Sequence, residues 1–172
     1  MVGARIAIFV AAIALLPAFA AAGEIAQTHE HSSASAATDS GTGFGRKGER
    51  REVTRTVRLT MGDDFRFSPA VVKVTRGETI RFQIRNAGKL PHEFVLGTAE
   101  SLGKHAQTMR SHPGMTHNES HLAHVAPGRT GTVIWQFTRT GEFLYGCLVA
   151  GHFEAGMTGR LVVAPQSAKA RD

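Results

Sequence analysis

The stretch GEFLYGCLVAGHFEAGMTGRLVV, residues 141–163, decides how this chain reads. Gly141 to Tyr145 is aromatic and alternating, Gly159 to Val163 is apolar and bounded by glycine, and both have the texture of strands. The loop between them carries Cys147, His152 and Met157 in the spacing Cys-x4-His-x4-Met. A thiol, an imidazole and a thioether are soft and borderline metal donors. Gly146, Gly151 and Gly156 stand just before the three residues, where freedom in φ would let an irregular turn swing their side chains onto one ion. Each residue has a plainer reading alone: a lone cysteine is often a buried apolar side chain, and Met157 would be core filler. A cysteine nucleophile with a histidine base is the enzymatic alternative. Cys147 lies away from any helix N-terminus, however, and no Asn or Asp stands in an orienting position. The joint pattern favours a metal.

Working outward, the rest of the chain from Glu52 repeats the strand texture. Val53, Val57 and Leu59 fall on one face of an extended segment, and Met61-Gly62-Asp63-Asp64 turns into Phe65-Arg66-Phe67-Ser68-Pro69. Val71 to Val74 is stopped by Arg76-Gly77-Glu78, and Ile80, Phe82 and Ile84 alternate before Asn86-Ala87-Gly88. Phe94 to Leu96 and Thr132 to Phe137 add further strands. About seven or eight short strands with turn signals every 8 to 12 residues predict an all-β chain folded as an antiparallel sandwich. The segment 97–127 interrupts this pattern and is too long for an ordinary connection. Within it, Ser101 to Arg110 and His117 to His124 are candidate short helices. The sandwich domain is expected over residues 52–165, with a short C-terminal tail at 166–172.

Composition sets the outer bounds. A chain of 172 residues with 42% hydrophobic and 20% charged residues is a single globular domain with short extras, which excludes a multi-domain enzyme. Residues 1–22 hold an eleven-residue apolar run, Ile6 to Leu16, followed by Pro17 and the small-x-small cleavage signals Ala18-Phe19-Ala20 and Ala20-Ala21-Ala22. This predicts a cleavable signal peptide and a periplasmic, exported protein with no stable membrane insertion after processing; an uncleaved anchor is the alternative. Residues 23–51 lack apolar periodicity and are expected to be a flexible tail. Cleavage removes one arginine, taking Lys+Arg from 20 to 19 and the net charge from +6 to +5. No basic stripe with interleaved aromatics points to nucleic acid.

A fourth donor stands upstream, His92 in Leu90-Pro91-His92-Glu93-Phe94. Two imidazoles, one thiolate and a thioether suit copper in both oxidation states, in a trigonal His2Cys arrangement with a weak axial methionine. Zinc would take a carboxylate or another nitrogen or sulfur ligand in place of the thioether.

Phe65-x-Phe67-x-Pro69, Val74-x2-Gly77-x-Thr79-Ile80-x-Phe82, Asn86-x-Gly88, Pro91-His92-Glu93-Phe94 and Gly141-x-Phe143-x-Tyr145-x-Cys147-x4-His152-x4-Met157-x-Gly159 together resemble the cupredoxins, the plastocyanin/azurin type of blue-copper protein. The resemblance spans about Glu52 to Ala164. It is nearest to exported bacterial cupredoxins associated with copper tolerance, which carry a Met- and His-bearing insertion after the first ligand strand. It implies a Greek-key β-sandwich with a partly helical insertion, and a type 1 copper held by His92, Cys147 and His152 with Met157 axial. It also implies Glu93 and Asn86 near the ligands, and an electron port at His152 beside Ala150 and Phe153. The Cys-to-His gap is longer than in plastocyanin, which leaves the colour of such a site open.

The insertion holds His105, Met109, His112, Met115, His117, His121 and His124. On a helix, His117, His121 and His124 would share one face, and Met109-x2-His112-x2-Met115 would add donors suited to cuprous copper. Met109, His112, Met115, His117, His121 and His124 are therefore a candidate second copper site, against the reading that they are exposed polar residues or pack beside the copper loop. His29 and His31 in the tail are weaker candidates. Two functions remain: copper tolerance by binding or handling periplasmic copper, and a dedicated electron shuttle to a redox partner protein. An enzymatic role is not expected. A nitrite reductase or multicopper oxidase needs further domains, and a dinuclear centre needs two bridging cysteines where this chain has one.

Overall fold

The computed structural model describes residues 42–112, 114–115 and 118–167. The signal segment, His29, His31 and His117 lie outside the described residues. Ten strands and one α-helix follow in chain order: β1 Gly45–Lys47, β2 Arg55–Gly62, β3 Arg66–Ser68, β4 Val71–Thr75, β5 Thr79–Asn86, β6 His92–Gly97, α1 Ala99–Ser111, β7 Leu122–Val125, β8 Thr130–Phe137, β9 Gly141–Gly146 and β10 Thr158–Ala164. They form two five-stranded sheets, β1-β8-β5-β2-β3 and β4-β10-β9-β6-β7. The result is the expected β-sandwich with a helical insertion.

Alternation along each strand explains the packing. Ile80, Phe82 and Ile84 of β5 and Val133, Trp135 and Phe137 of β8 are buried from one sheet, Phe94, Leu96, Tyr145 and Leu161 from the other. All of them join one core. Phe82 meets Phe94 with ring centroids 5.3 Å apart, and Phe67 meets Tyr145 edge-on at 5.2 Å. Burying each such side chain is worth roughly 1.5–3 kcal/mol.

Two pairings depart from the antiparallel expectation: β2 runs parallel to β5, and β4 parallel to β10. The chain leaves the first sheet at β4 and re-enters it at β5, so β5 arrives beside β2 in the same direction. The amino-terminal boundary also moves. The tail expected to be flexible through Arg51 is structured in its last part: β1 pairs with β8, and Phe44 is buried against Trp135 and Phe143 at 5.4 and 4.9 Å. One aromatic in a polar stretch produces no periodicity, yet it fills the end of the sandwich.

The insertion is where β6 becomes buried on both faces. Phe94 and Leu96 point into the sandwich, while Val95 lies under α1. The helix begins at the cap Thr98, whose hydroxyl accepts from the Ser101 amide at 3.0 Å, and buries Leu102, Ala106 and Met109 at i, i+4 and i+7. Gly97 is required by proximity, since a Cβ there would lie 2.7 Å from Ser101 Oγ and 2.8 Å from Leu102. The described residues of the helix expected over His117 to His124 do not form one. Leu122–Val125 is instead an edge strand antiparallel to β6, with Glu93 opposite His124 and Phe94 opposite Ala123. Among the described residues no helix is long and apolar enough to cross a membrane.

Candidate metal centre

One end of the sandwich brings together the start of β6, the end of β9 and the loop to β10. That loop is a series of tight turns: His152 N donates to Val149 O at 2.9 Å, Ala155 N to Gly151 O at 3.1 Å, and Met157 N to His152 O at 3.0 Å. The Cys147 amide closes it by donating to Met157 O at 3.1 Å. Gly151 and Gly156 both sit at φ +87°, as their positions predict. Gly146 does not have positive φ; a Cβ there would lie 3.2 Å from the Phe153 ring, a tight contact that the glycine avoids.

Three ligand-type atoms converge. His92 Nδ1 lies 3.3 Å from His152 Nδ1, and Cys147 Sγ lies 3.4 Å from His152 Nδ1 and 3.9 Å from His92 Nδ1. Among the described residues, this is the group of His, Cys, Asp or Glu side chains that closes tightly enough to hold a metal ion, with all its ligand atoms within 4.8 Å. Cys147, His92 and Met157 are buried, and Met157 belongs to the same core cluster as Cys147.

The electrostatics fit a cation. Burial pushes the Cys147 thiol up to about 11, with a smaller contribution from the Glu93 carboxylate. A thiolate there needs a positive partner at neutral pH. Burial, and then the neighbouring His92, hold His152 below the ordinary imidazole range, which keeps it neutral and able to donate a lone pair. The set of thiolate, two imidazoles and thioether matches copper.

Two residues that the sequence places merely in a turn support the ligands. Asp63 Oδ1 lies 3.1 Å from His92 Nε2, which fixes the ring so that Nδ1 faces Cys147 and His152. The same carboxylate accepts from Lys89 N at 2.7 Å and Leu90 N at 3.2 Å. The Lys89 amide is the largest cause of its lowered pKa. Gly88 permits this approach, since a Cβ there would lie 2.1 Å from Asp63 Oδ1. Phe65, at φ +57°, lays its ring 4.6 Å from the His152 ring. The Phe65-x-Phe67-x-Pro69 motif marked its neighbourhood; no local pattern marked Asp63, which meets His92 across 29 residues.

Asn86 and Glu93 both serve the site through the backbone. Asn86 is fully buried and donates Nδ2 to Leu90 O at 2.8 Å and Val125 O at 2.9 Å, while its Oδ1 accepts from Gly88 N at 2.9 Å. It therefore ties the loop that precedes His92 to β7. Glu93 donates its amide to Cys147 Sγ at 3.3 Å.

The described insertion residues do not all gather at one point. Met109 is buried in the helix seam and Met115 is exposed. His112 caps α1, His121 packs its ring 5.7 Å from Trp135, and His124 Nδ1 lies 3.0 Å from Glu93 Oε1. Because β7 is a strand, the one-faced arrangement of His121 and His124 expected on a helix is not formed.

Residues 53–164 match the family described as copper binding proteins, plastocyanin/azurin family. The copper-resistant cuproprotein CopI of Rubrivivax gelatinosus is 48% identical over 148 residues, covering 84% of this chain and 90% of that protein. The protein of the same name from Pseudomonas aeruginosa is 30% identical over 162 residues, covering 77% and 89%. Among solved structures, auracyanin B superposes with TM-score 0.61 at 20% identity over 71% of this chain and 97% of its own. Dithionite-reduced auracyanin from Roseiflexus castenholzii gives 0.57 at 20% identity over 66% and 99%. At that identity these likenesses concern the fold.

Proposed function

The chain belongs to the plastocyanin/azurin family of copper-binding proteins, and from that premise we propose that it is an exported, periplasmic type 1 copper protein acting in copper tolerance. In this reading His92, Cys147 and His152 would hold the copper, with Met157 beside them. The observation that carries it is the triangle of Nδ1, Nδ1 and Sγ atoms at 3.3, 3.4 and 3.9 Å. The names of the CopI relatives support the tolerance role. The apolar run and small residues at the start of the chain support export.

Copper held there would supply a one-electron couple. The chain supplies the rest: Asp63 orients His92, the Glu93 amide donates to the Cys147 sulfur, and burial excludes water from the thiolate. His152 is half-buried, and its outer edge beside Phe65 and Phe153 is the port through which an electron would pass. That exposed edge also favours the second reading, a soluble shuttle serving a redox partner protein.

The test is copper tolerance of a host lacking the gene, complemented with the wild-type chain or with Cys147→Ser. Tolerance restored by the wild type and lost with Cys147→Ser is the expected result. Equal protection by both would overturn the role of the thiolate site. Tolerance indifferent to the whole gene, with a reducible copper centre intact, would favour the shuttle.

A further inference from the structure

Beside the ligand loop lies a cleft of about 370 Å³ into which the insertion delivers soft donors. Met109 reaches it from the last turns of α1, Met115 from the segment after the helix, and His124 from β7. Its other wall includes Val149 and Ala150, which lie between Cys147 and His152, and Glu93, the neighbour of His92. Residues far apart in the insertion thus meet against the backbone of the copper loop.

The charge balance of the cleft points to a cation. Glu93 is 6% exposed; its Oε1 lies 3.0 Å from His124 Nδ1, and its Oε2 is buried without a hydrogen-bond partner. A buried carboxylate oxygen with no partner is costly, and a metal ion nearby offsets that cost. The His124 tautomer that donates from Nδ1 to Glu93 carries its lone pair on Nε2, the arrangement by which a carboxylate orients a metal-binding imidazole. Met109 is buried in the seam under α1, and Met115 keeps 44% of its surface exposed at the mouth.

We propose that Met109, Met115 and His124, backed by the Glu93 carboxylate, form a second metal site that takes a cuprous ion beside the type 1 centre. Thioethers select Cu(I) over Cu(II) and zinc, and a monovalent ion matches the single buried carboxylate. The inference rests on the copper-handling reading above and gives the insertion its part in it: a place where cuprous copper is held against the loop that carries Cys147 and His152.

The experiment is an anaerobic Cu(I) titration of the whole chain against a chromogenic cuprous chelator, with the Cu(II) thiolate band measured separately on each protein. The wild type should bind two tight equivalents. Met109→Leu/Met115→Leu, which conserves volume, and His124→Gln should each bind one while keeping the thiolate band undiminished. Cys147→Ser should lose the band and keep the cleft equivalent. A wild type that binds one equivalent overturns the proposal. So do variants that keep the second, which would place it elsewhere, as at His29 and His31. If the double variant loses the band through misfolding, Met115→Leu and His124→Gln, both at exposed positions, decide alone. A wild type with a cleft equivalent and no thiolate band would instead overturn the type 1 assignment and leave the cleft site standing.

Discussion

Replacing Asn86 should unfasten the ligand end of the sandwich, and its three hydrogen bonds set the size of the effect. Asn86→Ala removes donors to Leu90 O and Val125 O at 2.8 and 2.9 Å and an acceptor for Gly88 N at 2.9 Å. At about 1 kcal/mol net per bond, with a larger cost at the fully buried Val125 carbonyl, the loss is roughly 3 kcal/mol. For a domain of this size that is a fall in Tm on the order of 10 °C. Asn86→Asp is closer in shape and should nevertheless be worse. It keeps the acceptor for Gly88 but sets an ionised carboxylate against two carbonyl oxygens. Burial raises the pKa of such a carboxyl in the folded state, so its stability is best at acid pH and is lost as pH rises. Urea unfolding of the apoprotein, for wild type and both variants at two pH values, measures all of this. A loss below about 1 kcal/mol for Asn86→Ala, or an Asn86→Asp variant at least as stable as the alanine at neutral pH, would refute the reasoning.

Other substitutions probe other levels of the structure. Asp63→Asn should weaken copper affinity by roughly 10–100-fold, measured by chelator competition, because His92 loses the carboxylate that orients it. Asp63 has a lowered folded pKa, so its stabilisation is present above the ordinary carboxylate range and is lost as pH falls through the lowered value; acid melts of the apoprotein should show that slope in wild type and a flatter one in Asp63→Asn. Leu102→Ala should cost about 2–5 kcal/mol in urea unfolding and speed amide exchange in α1, since Leu102 is 2% exposed and anchors the helix to β6. Gly159→Ala should cost roughly 1–3 kcal/mol or more, because its Cβ would lie 2.2 Å from a Tyr145 ring that the 2.6 Å bond to Pro69 O holds in place.

What could be read in the sequence was what local spacing encodes. Cys147, His152 and Met157 share one loop, so their pattern survives in one dimension, and the alternation of Ile80, Phe82 and Ile84 follows from one buried face. His117, His121 and His124, spaced i, i+4 and i+7, read as a helix face, and the strand β7 that contains His124 is hidden behind that spacing; its Leu122 and Val125 show the difference. In β7 they point to opposite sides, Leu122 to the seam under α1 and Val125 to the sandwich core, and only the pairing with β6 reveals it. Phe44, Asp63 and the parallel pairs depend on contacts between distant segments. The meeting of Met109, Met115 and His124 depends on the strand that replaced the expected helix.

The central claim is tested most directly by titrating the mature protein with Cu(II), following visible absorption and EPR together. The account predicts an intense thiolate-to-copper band that saturates at one equivalent and is absent in Cys147→Ser. A protein that binds Cu(II) without that band, or a band that survives in Cys147→Ser, would contradict it.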